Sequence, residues 1–216
     1  MSPFRSAAFR WLWCSSLASS AAQGMERTTT AWLALLAGGG AFGVGLAFAA
    51  RNVPALLFGL LSGTIADRTD RIASGLQKLG VKQGDSVAML MRNDIAFIEA
   101  AYAAMRLGAY GVPVNWHFKP EEINYVLKDS GTSVLIAHAD MLHQLREAIP
   151  GGVIALSVST PPEIIANYKI SPDHLTTPDF AIDFESWLKQ HPRYDGPAVP
   201  QPQNMIYTSG TTGHPK

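Results

Sequence analysis

The residues of this chain whose types and spacing could do chemistry are concentrated in the run Tyr-Thr-Ser-Gly-Thr-Thr-Gly-His-Pro-Lys at 207–216. Two glycines allow close approach of the backbone to a ligand. Hydroxyl and backbone N–H groups supply the donors that phosphate oxygens accept, and a lysine supplies positive charge. The run therefore predicts a phosphate-binding loop made of Thr208, Ser209, Gly210, Thr211, Thr212, Gly213 and Lys216.

The residues just before this loop, Met205, Ile206 and Tyr207, form an apolar run that suits a buried strand end. The spacing differs from that of the commoner P-loop, in which a Lys directly follows Gly and precedes Ser or Thr. A polar linker is the alternative interpretation, because Ser, Thr and Gly are ordinary loop residues. A linker does not need two Thr, two Gly and a Lys in this order after a strand, so a phosphate site is the favoured interpretation.

The terminal run resembles the signature loop of the adenylate-forming superfamily, which includes acyl-CoA synthetases, aryl-CoA ligases, luciferases and peptide-synthetase adenylation domains. The resemblance extends upstream to about Arg71. The triplet Asn115-Trp116-His117 is similar to that of fatty-acyl and related acyl-CoA ligases, although an aromatic residue between strand and helix is more often a packing residue. The other segments that carry the resemblance are 80–88, 108–115, 119–123 and 129–131.

The resemblance implies ATP-dependent activation of a fatty or aryl carboxylic acid to an acyl-adenylate, followed by transfer to coenzyme A, with Mg²⁺ neutralising phosphate charge. In that chemistry the loop holds the leaving pyrophosphate, so its role is electrostatic positioning and no catalytic proton-transfer residue is assigned. The superfamily's remaining nucleotide-site residues follow this loop in sequence. The resemblance therefore implies a fragment with negligible ligase activity on its own.

Apolar segments alternate with helical patterns between residues 85 and 158. Asn93 is the predicted N-cap of a helix that ends at Gly108, and Pro120 is predicted at the first position of a helix that Gly131 closes. Alternation of this length predicts an α/β fold with a partial doubly wound parallel sheet. A further short helix is predicted around Phe184 and Trp187. The predicted strands are 85–91, 109–114, 133–137 and 153–158, and a helix is predicted at 139–149.

The first 61 residues have a different composition, with only five charged side chains. Residues 41–61 would measure about 32 Å as a helix, enough for a hydrocarbon core of about 30 Å, and Arg51 is their only charge. Residues 11–36 are a poorer candidate because Gln23, Glu26 and Arg27 interrupt them. A two-helix transmembrane hairpin is therefore predicted within residues 11–61, with a cleavable secretory signal as the alternative.

The segment 59–71 resembles the cytoplasmic loop after the second helix of the major facilitator superfamily. Residues 9–36 are similar to the first helix of that superfamily's drug and siderophore exporters. Basic residues precede the helix pair and follow it, while residues 38–40 between the helices are uncharged glycines. Both ends of the hairpin are therefore predicted to be cytoplasmic, which places the chain at the inner membrane with its soluble part facing the cytoplasm.

The segment that resembles a major facilitator transporter and the segment that resembles an adenylate-forming enzyme meet near residue 70, without a flexible linker between them. The predicted domains are residues 1–70, a transporter-like hairpin, and residues 71–216, a truncated AMP-binding domain. Joined domains normally have an exposed linker, so we hypothesise that the chain is a chimera. Three functions remain open: an acyl-CoA ligase fragment, an exporter fragment, and a membrane-tethered nucleotide-binding module without catalysis.

Whole-chain composition excludes some function classes. Seventeen basic and seventeen acidic residues give a formal net charge of zero, which argues against a nucleic-acid partner. Cys14 is the single cysteine, so neither an intrachain disulfide framework nor a cysteine-based metal site is possible. The six histidines have no metal-ligand spacing, and no metal ligands are predicted.

Overall fold

The structure is a computed structural model that describes residues 7–197, 199–202 and 205–208. The chain forms two compact units, residues 1–62 and residues 63–216. Helix α2 (Gly40–Lys78) contributes its first part to the first unit and its last part to the second. The predicted domain boundary at residue 70 thus falls inside a helix, and it stays a prediction.

The first unit contains helix α1 (Ala7–Leu36) and the start of α2. Gly38 and Gly40 adopt positive φ angles of 79° and 53° in the turn between them, a conformation that glycine adopts without strain. Arg51 of α2 forms an ion pair with Glu26 of α1, which gives each of these charges a partner within the helix pair. The Gly-rich turn predicted between two helices is therefore confirmed.

The predicted transmembrane hairpin is corrected by the structure. Within the described residues, no helix has both the length and the apolar character needed to cross a membrane. Gln23, Glu26 and Arg27 interrupt α1, and Arg51 and Asn52 interrupt α2. The predicted loop at 59–71 is also wrong, because α2 continues through it to Lys78.

The second unit is built on a five-stranded sheet in which every pairing is parallel, in the order β2-β1-β3-β4-β5. The predicted α/β parallel sheet is confirmed. The strands are β1 (Ser86–Leu90), β2 (Tyr110–Pro113), β3 (Thr132–His138), β4 (Ile154–Val158) and β5 (Ile182–Asp183). Besides the end of α2, the described part of the second unit contains helices α3 (Ile95–Arg106), α4 (Pro120–Asp129), α5 (Ala139–Leu142), α6 (Pro162–Tyr168) and α7 (Phe184–Leu188) and a 3₁₀ turn (Pro172–His174).

Alternate residues of the central strands face two separate apolar cores. Val87 and Met89 of β1 face a core that also includes the end of α2, α3 and α7. Ala88 and Leu90 face the core formed by α4 and α5. Because both faces are covered by helices, the strands are apolar on both sides, as expected for a parallel sheet.

Two local predictions differ from the structure. Asp94, not Asn93, is the N-cap of α3, because its side chain accepts a hydrogen bond from the Phe97 N–H at 2.9 Å. The predicted helix 139–149 ends at Leu142. Beyond that point tertiary contacts replace the helical pattern: the Asn124 side chain donates to the Ala148 carbonyl at 2.6 Å. The short helix predicted around Phe184 and Trp187 is confirmed as α7.

Candidate active site at the sheet edge

The segment that leads into the predicted phosphate loop lies along the open edge of β2. The Met205 N–H donates to the Gly111 carbonyl of β2 at 3.3 Å. Met205 and Tyr207 pack against the core formed by α4 and α5. This segment therefore brings Thr208, the first predicted loop residue, to the margin of the sheet.

The sequence of β2 explains why this edge is open. The N–H groups of Tyr110 and Val114 donate towards the β1 side, to Asp85 and Met89. The backbone N–H and C=O positions of residues 111 and 113 therefore face away from β1, since the hydrogen-bonding groups of neighbouring strand residues alternate in direction. Pro113 has no N–H to donate, and proline is tolerated in sheets at such outer edges. A strand added here can bond to Gly111 but receives no donor from Pro113.

The side chain of Tyr207 fixes the last residue before the loop. Its hydroxyl donates to Oδ2 of Asp129, at the end of α4, at 2.7 Å. Burial, and then the hydrogen bond to Asp129, raise the pKa of Tyr207. The phenol therefore stays protonated, and able to donate, across the physiological pH range.

Of the predicted loop residues, Thr208 lies within the described part of the chain and is exposed. Ser209, Gly210, Thr211, Thr212, Gly213 and Lys216 lie outside the described residues. Their assignment to phosphate binding stays a prediction. The residues just upstream add an anchor, Tyr207 with Asp129, that the sequence reasoning missed.

A second group of polar residues occupies the carboxyl ends of β1 and β3, where strand order reverses. Ligands of open α/β sheets bind in the crevice at such a switch point. Arg92 follows β1 and donates from Nη1 to Asp140 Oδ2 at 2.8 Å. Thr160, beyond β4, donates to the other oxygen of Asp140 at 2.7 Å. The Asp140 side chain is only 7% exposed, so both of its oxygens are satisfied within the protein.

His138 is fully buried in the same region and has a defined tautomer. Its Nδ1 accepts from the Arg92 backbone N–H at 3.3 Å, and its Nε2 lies 3.0 Å from Asp94 Oδ2. This pattern assigns the proton of the neutral ring to Nε2. Through these two contacts His138 holds the β1–α3 turn in place, and its full burial leaves it without contact with solvent.

A pocket of about 250 Å³ opens beside these polar groups. Trp116 and Phe118 contribute aromatic walls, and Leu90 and Ile123 contribute aliphatic ones. The guanidinium carbon of Arg92 lies 5.1 Å from the Trp116 ring centroid and 4.5 Å from that of Tyr168. Trp116 therefore both packs and lines a pocket, whereas the sequence favoured packing alone.

The sequence contains a pattern that indicates this second group of polar residues. Arg92 and Asp140 stand within three residues of the ends of two predicted strands. In a parallel sheet such positions meet at one edge, so polar residues there are candidates for a site. The sequence alone could not show that β1 and β3 are neighbours, because the order of strands is set by packing.

The fit of the implied cofactors can be tested only in part. The candidate phosphate donors beyond Thr208 lie outside the described residues, so ATP is assigned to them by proposal. No cluster of three or more His, Cys, Asp or Glu within the described part of the chain could hold a metal ion. No residue of this chain is therefore assigned to Mg²⁺, and no step is derived through it.

A parallel sheet of order 2-1-3-4-5 with polar groups at its switch point defines a doubly wound α/β protein, a class whose ligands bind in the crevice at that point. A family model described as AMP-binding enzyme matches residues 63–216. The chain belongs to the AMP-binding enzyme family, whose members include ATP-dependent acyl-CoA ligases.

Curated relatives agree with this family. The long-chain-fatty-acid–CoA ligase FadD13 of Mycobacterium tuberculosis is 32% identical over 151 residues, which cover 68% of this chain and 26% of the relative. The 3-hydroxybenzoate–CoA ligase of Aromatoleum sp. is 28% identical over 167 residues, covering 76% of this chain and 30% of the relative. The chain thus spans roughly a quarter to a third of the length of these relatives.

Solved structures share the fold. The anthranilate CoA ligase AuaEII matches with a TM-score of 0.56 at 23% identity, over 70% of this chain and 27% of that one. An acyl-CoA synthetase of Brucella canis matches with a TM-score of 0.53 at 23% identity, over 70% of this chain and 26% of that one. At this identity the likeness shows the fold alone.

A second family model, described as transmembrane secretion effector, matches residues 1–102. The two matches overlap over residues 63–102. In that overlap the structure has the end of α2, all of β1 and most of α3, which belong to the compact unit of the sheet. The AMP-binding match therefore begins where this unit begins, upstream of the predicted start at Arg71.

Proposed function

We propose that residues 63–216 supply the phosphate-binding part of an ATP-dependent acid–CoA ligase. The match of residues 63–216 to the AMP-binding enzyme model carries this proposal, because it includes the whole Gly- and Thr-rich run. The acid is of the fatty or aryl class, as the names of the relatives suggest. Activation would form an acyl-adenylate and release pyrophosphate, and coenzyme A would then take up the acyl group.

In this reaction the residues of the chain would position phosphate and transfer no proton. Backbone N–H and hydroxyl groups of 208–213 would donate to the departing pyrophosphate, and Lys216 would balance its charge. Such donors stabilise negative charge as it develops, without forming a bond to the substrate. We expect a polypeptide of these 216 residues to bind nucleotide phosphates through this loop.

Lys216→Ala tests the proposed phosphate contact. We expect equilibrium dialysis with Mg·ATP to show an affinity about tenfold lower, the size of one lost charged hydrogen bond. Lys82→Ala is the matched control, because Lys82 is exposed in a turn before β1 and should leave the affinity unchanged. Equal affinities for Lys216→Ala and wild type would refute the assignment of Lys216.

The match of residues 1–102 to a transporter family favours a second proposal, that the chain is a chimera of an exporter-like segment and a ligase-like segment. Sequencing the genomic locus and its transcript tests this origin. An uninterrupted reading frame for either parent across residues 62–73 would refute it. Reproduction of the junction in both genome and transcript would support it.

A further inference from the structure

Asp129 occupies a position that local helix physics disfavours. It is the last residue of α4, where backbone carbonyls without helical partners concentrate negative charge. A carboxylate in the first turn stabilises a helix, as Glu121 and Glu122 do here, whereas one in the last turn does not. An unfavourable residue at a helix end points to a role outside the helix.

The contact that Asp129 makes supplies such a role. Its Oδ2 accepts the hydrogen bond from the hydroxyl of Tyr207 at 2.7 Å, across 78 residues of sequence. The end of α4 is well fixed, since the buried hydroxyls of Ser130 and Thr132 lie 2.7 Å apart just beyond it. Asp129 is therefore a firm attachment point for a segment that arrives from far along the chain.

The edge of β2 that this segment follows is interrupted by a proline. Pro113 cannot donate to the segment, so a regular ladder from β2 cannot continue past Gly111. Tyr207 stands immediately before Thr208, the first residue of the proposed phosphate loop. Holding Tyr207 fixes the residue from which the proposed loop begins, and a binding site that is ordered beforehand loses less entropy when it binds a ligand.

We infer that Tyr207 and Asp129 form a latch that positions the phosphate loop for nucleotide binding. Both are positioning residues, since neither is proposed to touch the nucleotide. This inference rests on the proposed phosphate-binding function. It adds that the affinity for ATP depends on a hydrogen bond made away from the ligand.

Three variants of the full chain test the latch: Tyr207→Phe and Asp129→Ala remove the hydrogen bond, and Asp129→Asn keeps an acceptor. Tyr102→Phe is the matched control, because Tyr102 lies exposed on α3. The first readout is hydrogen exchange of the Met205 amide, which bonds to Gly111. We expect Tyr207→Phe and Asp129→Ala to speed this exchange about tenfold, and Asp129→Asn and Tyr102→Phe to leave it near wild type.

The second readout is the dissociation constant for Mg·ATP, measured beside the urea midpoint of unfolding. We expect Tyr207→Phe and Asp129→Ala to weaken binding about tenfold. Asp129→Ala should leave the midpoint unchanged or raise it, because it removes a negative charge from a helix C-terminus. Loss of affinity without loss of stability is a result that a merely structural role would not give.

The outcomes separate the latch from the proposed function. Unchanged exchange in Tyr207→Phe and Asp129→Ala would refute the latch. Faster exchange with an unchanged ATP dissociation constant would refute its role in positioning the loop. If the wild-type chain binds no ATP, the proposed function and the positioning role both fail, while the exchange measurement still decides whether the contact holds the segment.

Discussion

Arg68 joins two carboxylates of the second unit. Its Nε lies 2.9 Å from both oxygens of Glu99, and its Nη2 lies 2.6 Å from Glu185. The Glu99 side chain is only 2% exposed, and its burial raises its pKa even though Arg68 opposes the shift. Arg68 is therefore the group that makes this buried carboxylate tolerable.

We predict that Arg68→Ala lowers the free energy of unfolding by about 3 kcal/mol, because it leaves a buried carboxylate without its counter-charge. Arg146→Ala is the control: Arg146 and its partner Asp179 are 58% and 80% exposed, so its effect should stay below about 1 kcal/mol. Urea unfolding of both variants measures the difference. Similar losses in the two variants would contradict a special role for Arg68.

His191 predicts a pH dependence of stability. Both of its ring nitrogens are buried and have no hydrogen-bond partner among the described residues, and burial, followed by the charge of Lys78, lowers its pKa below the ordinary 6.5. The unfolded chain then binds a proton more readily than the folded chain. The stabilisation is therefore complete above pH 6.5 and is lost as the pH falls through the lowered pKa.

We expect the free energy of unfolding to decrease as the pH falls below 6.5, and His191→Phe to remove part of that decrease. Chemical denaturation at a series of pH values measures it. His117→Phe is a suitable control, because His117 is exposed and its ring packs against Trp116 at the surface. The same pH profile for His191→Phe and wild type would contradict the assignment.

At the residue scale, the phosphate loop is predicted from the sequence alone, because its residue types and order are themselves the signal, and its assignment stays a prediction. The sequence did not predict the ion pairs of Arg68, because the resemblance to a transporter loop assigned Arg68 to that loop. The structure instead pairs Arg68 with residues 31 and 117 positions away, and such contacts leave no local pattern.

At the scale of elements, α2 meets α7 through a glycine. A Cβ at Gly75 would lie 2.4 Å from Cζ2 of Trp187 and 2.6 Å from Cδ2 of His191. Gly63 is on the same helix, and among the described residues no atom outside the helix's own neighbouring backbone lies within 4 Å of the Cβ that it would carry. Substitution of Gly75 therefore tests close packing, whereas substitution of Gly63 tests helix propensity alone.

We predict that Gly75→Ala destabilises the chain by about 1 to 3 kcal/mol, because overpacking outweighs the better helix propensity of alanine. Gly63→Ala should raise stability by up to about 1 kcal/mol. Thermal and urea unfolding of both variants test the pair. A stabilising Gly75→Ala would mean that α7 moves away from α2 at little cost.

The alternation of strands and helices could be predicted because apolar strands and capped helices have short-range signatures. Pro120 stands at the start of α4 as expected, and four of the five strands fall within a residue or two of their predicted bounds. The end of α5 could not be predicted, because the backbone after Leu142 continues in tight turns, in which the Leu145 N–H donates to the Leu142 carbonyl at 2.9 Å, while the apolar pattern remains that of a helix. The two-residue β5 is too short to show any periodicity.

At the scale of the whole molecule, the position of the unit boundary has a testable consequence. A polypeptide of residues 63–216 contains Asp67, Arg68 and Asp70, whereas one of residues 72–216 lacks all three. These residues contact Arg193, Glu99, Glu185 and Arg106. We expect 63–216 to unfold cooperatively and 72–216 to unfold at a lower urea concentration.

Calorimetry and urea unfolding of the two polypeptides measure this difference. Equal midpoints would contradict a boundary at residue 63 and favour the one predicted near residue 70. The boundary predicted near residue 70 leaves Arg68 outside the second domain, because the charged residues at 67–71 fit both the transporter resemblance and the start of an amphipathic helix.

The most direct measurement of the proposed function is a comparison of ATP and AMP binding by the full chain at equilibrium. If the loop at 208–216 holds the phosphates that leave as pyrophosphate, ATP should bind at least about tenfold more tightly than AMP, since AMP lacks those groups. Equal dissociation constants for ATP and AMP, or no binding of ATP, would contradict a phosphate-binding role for this chain.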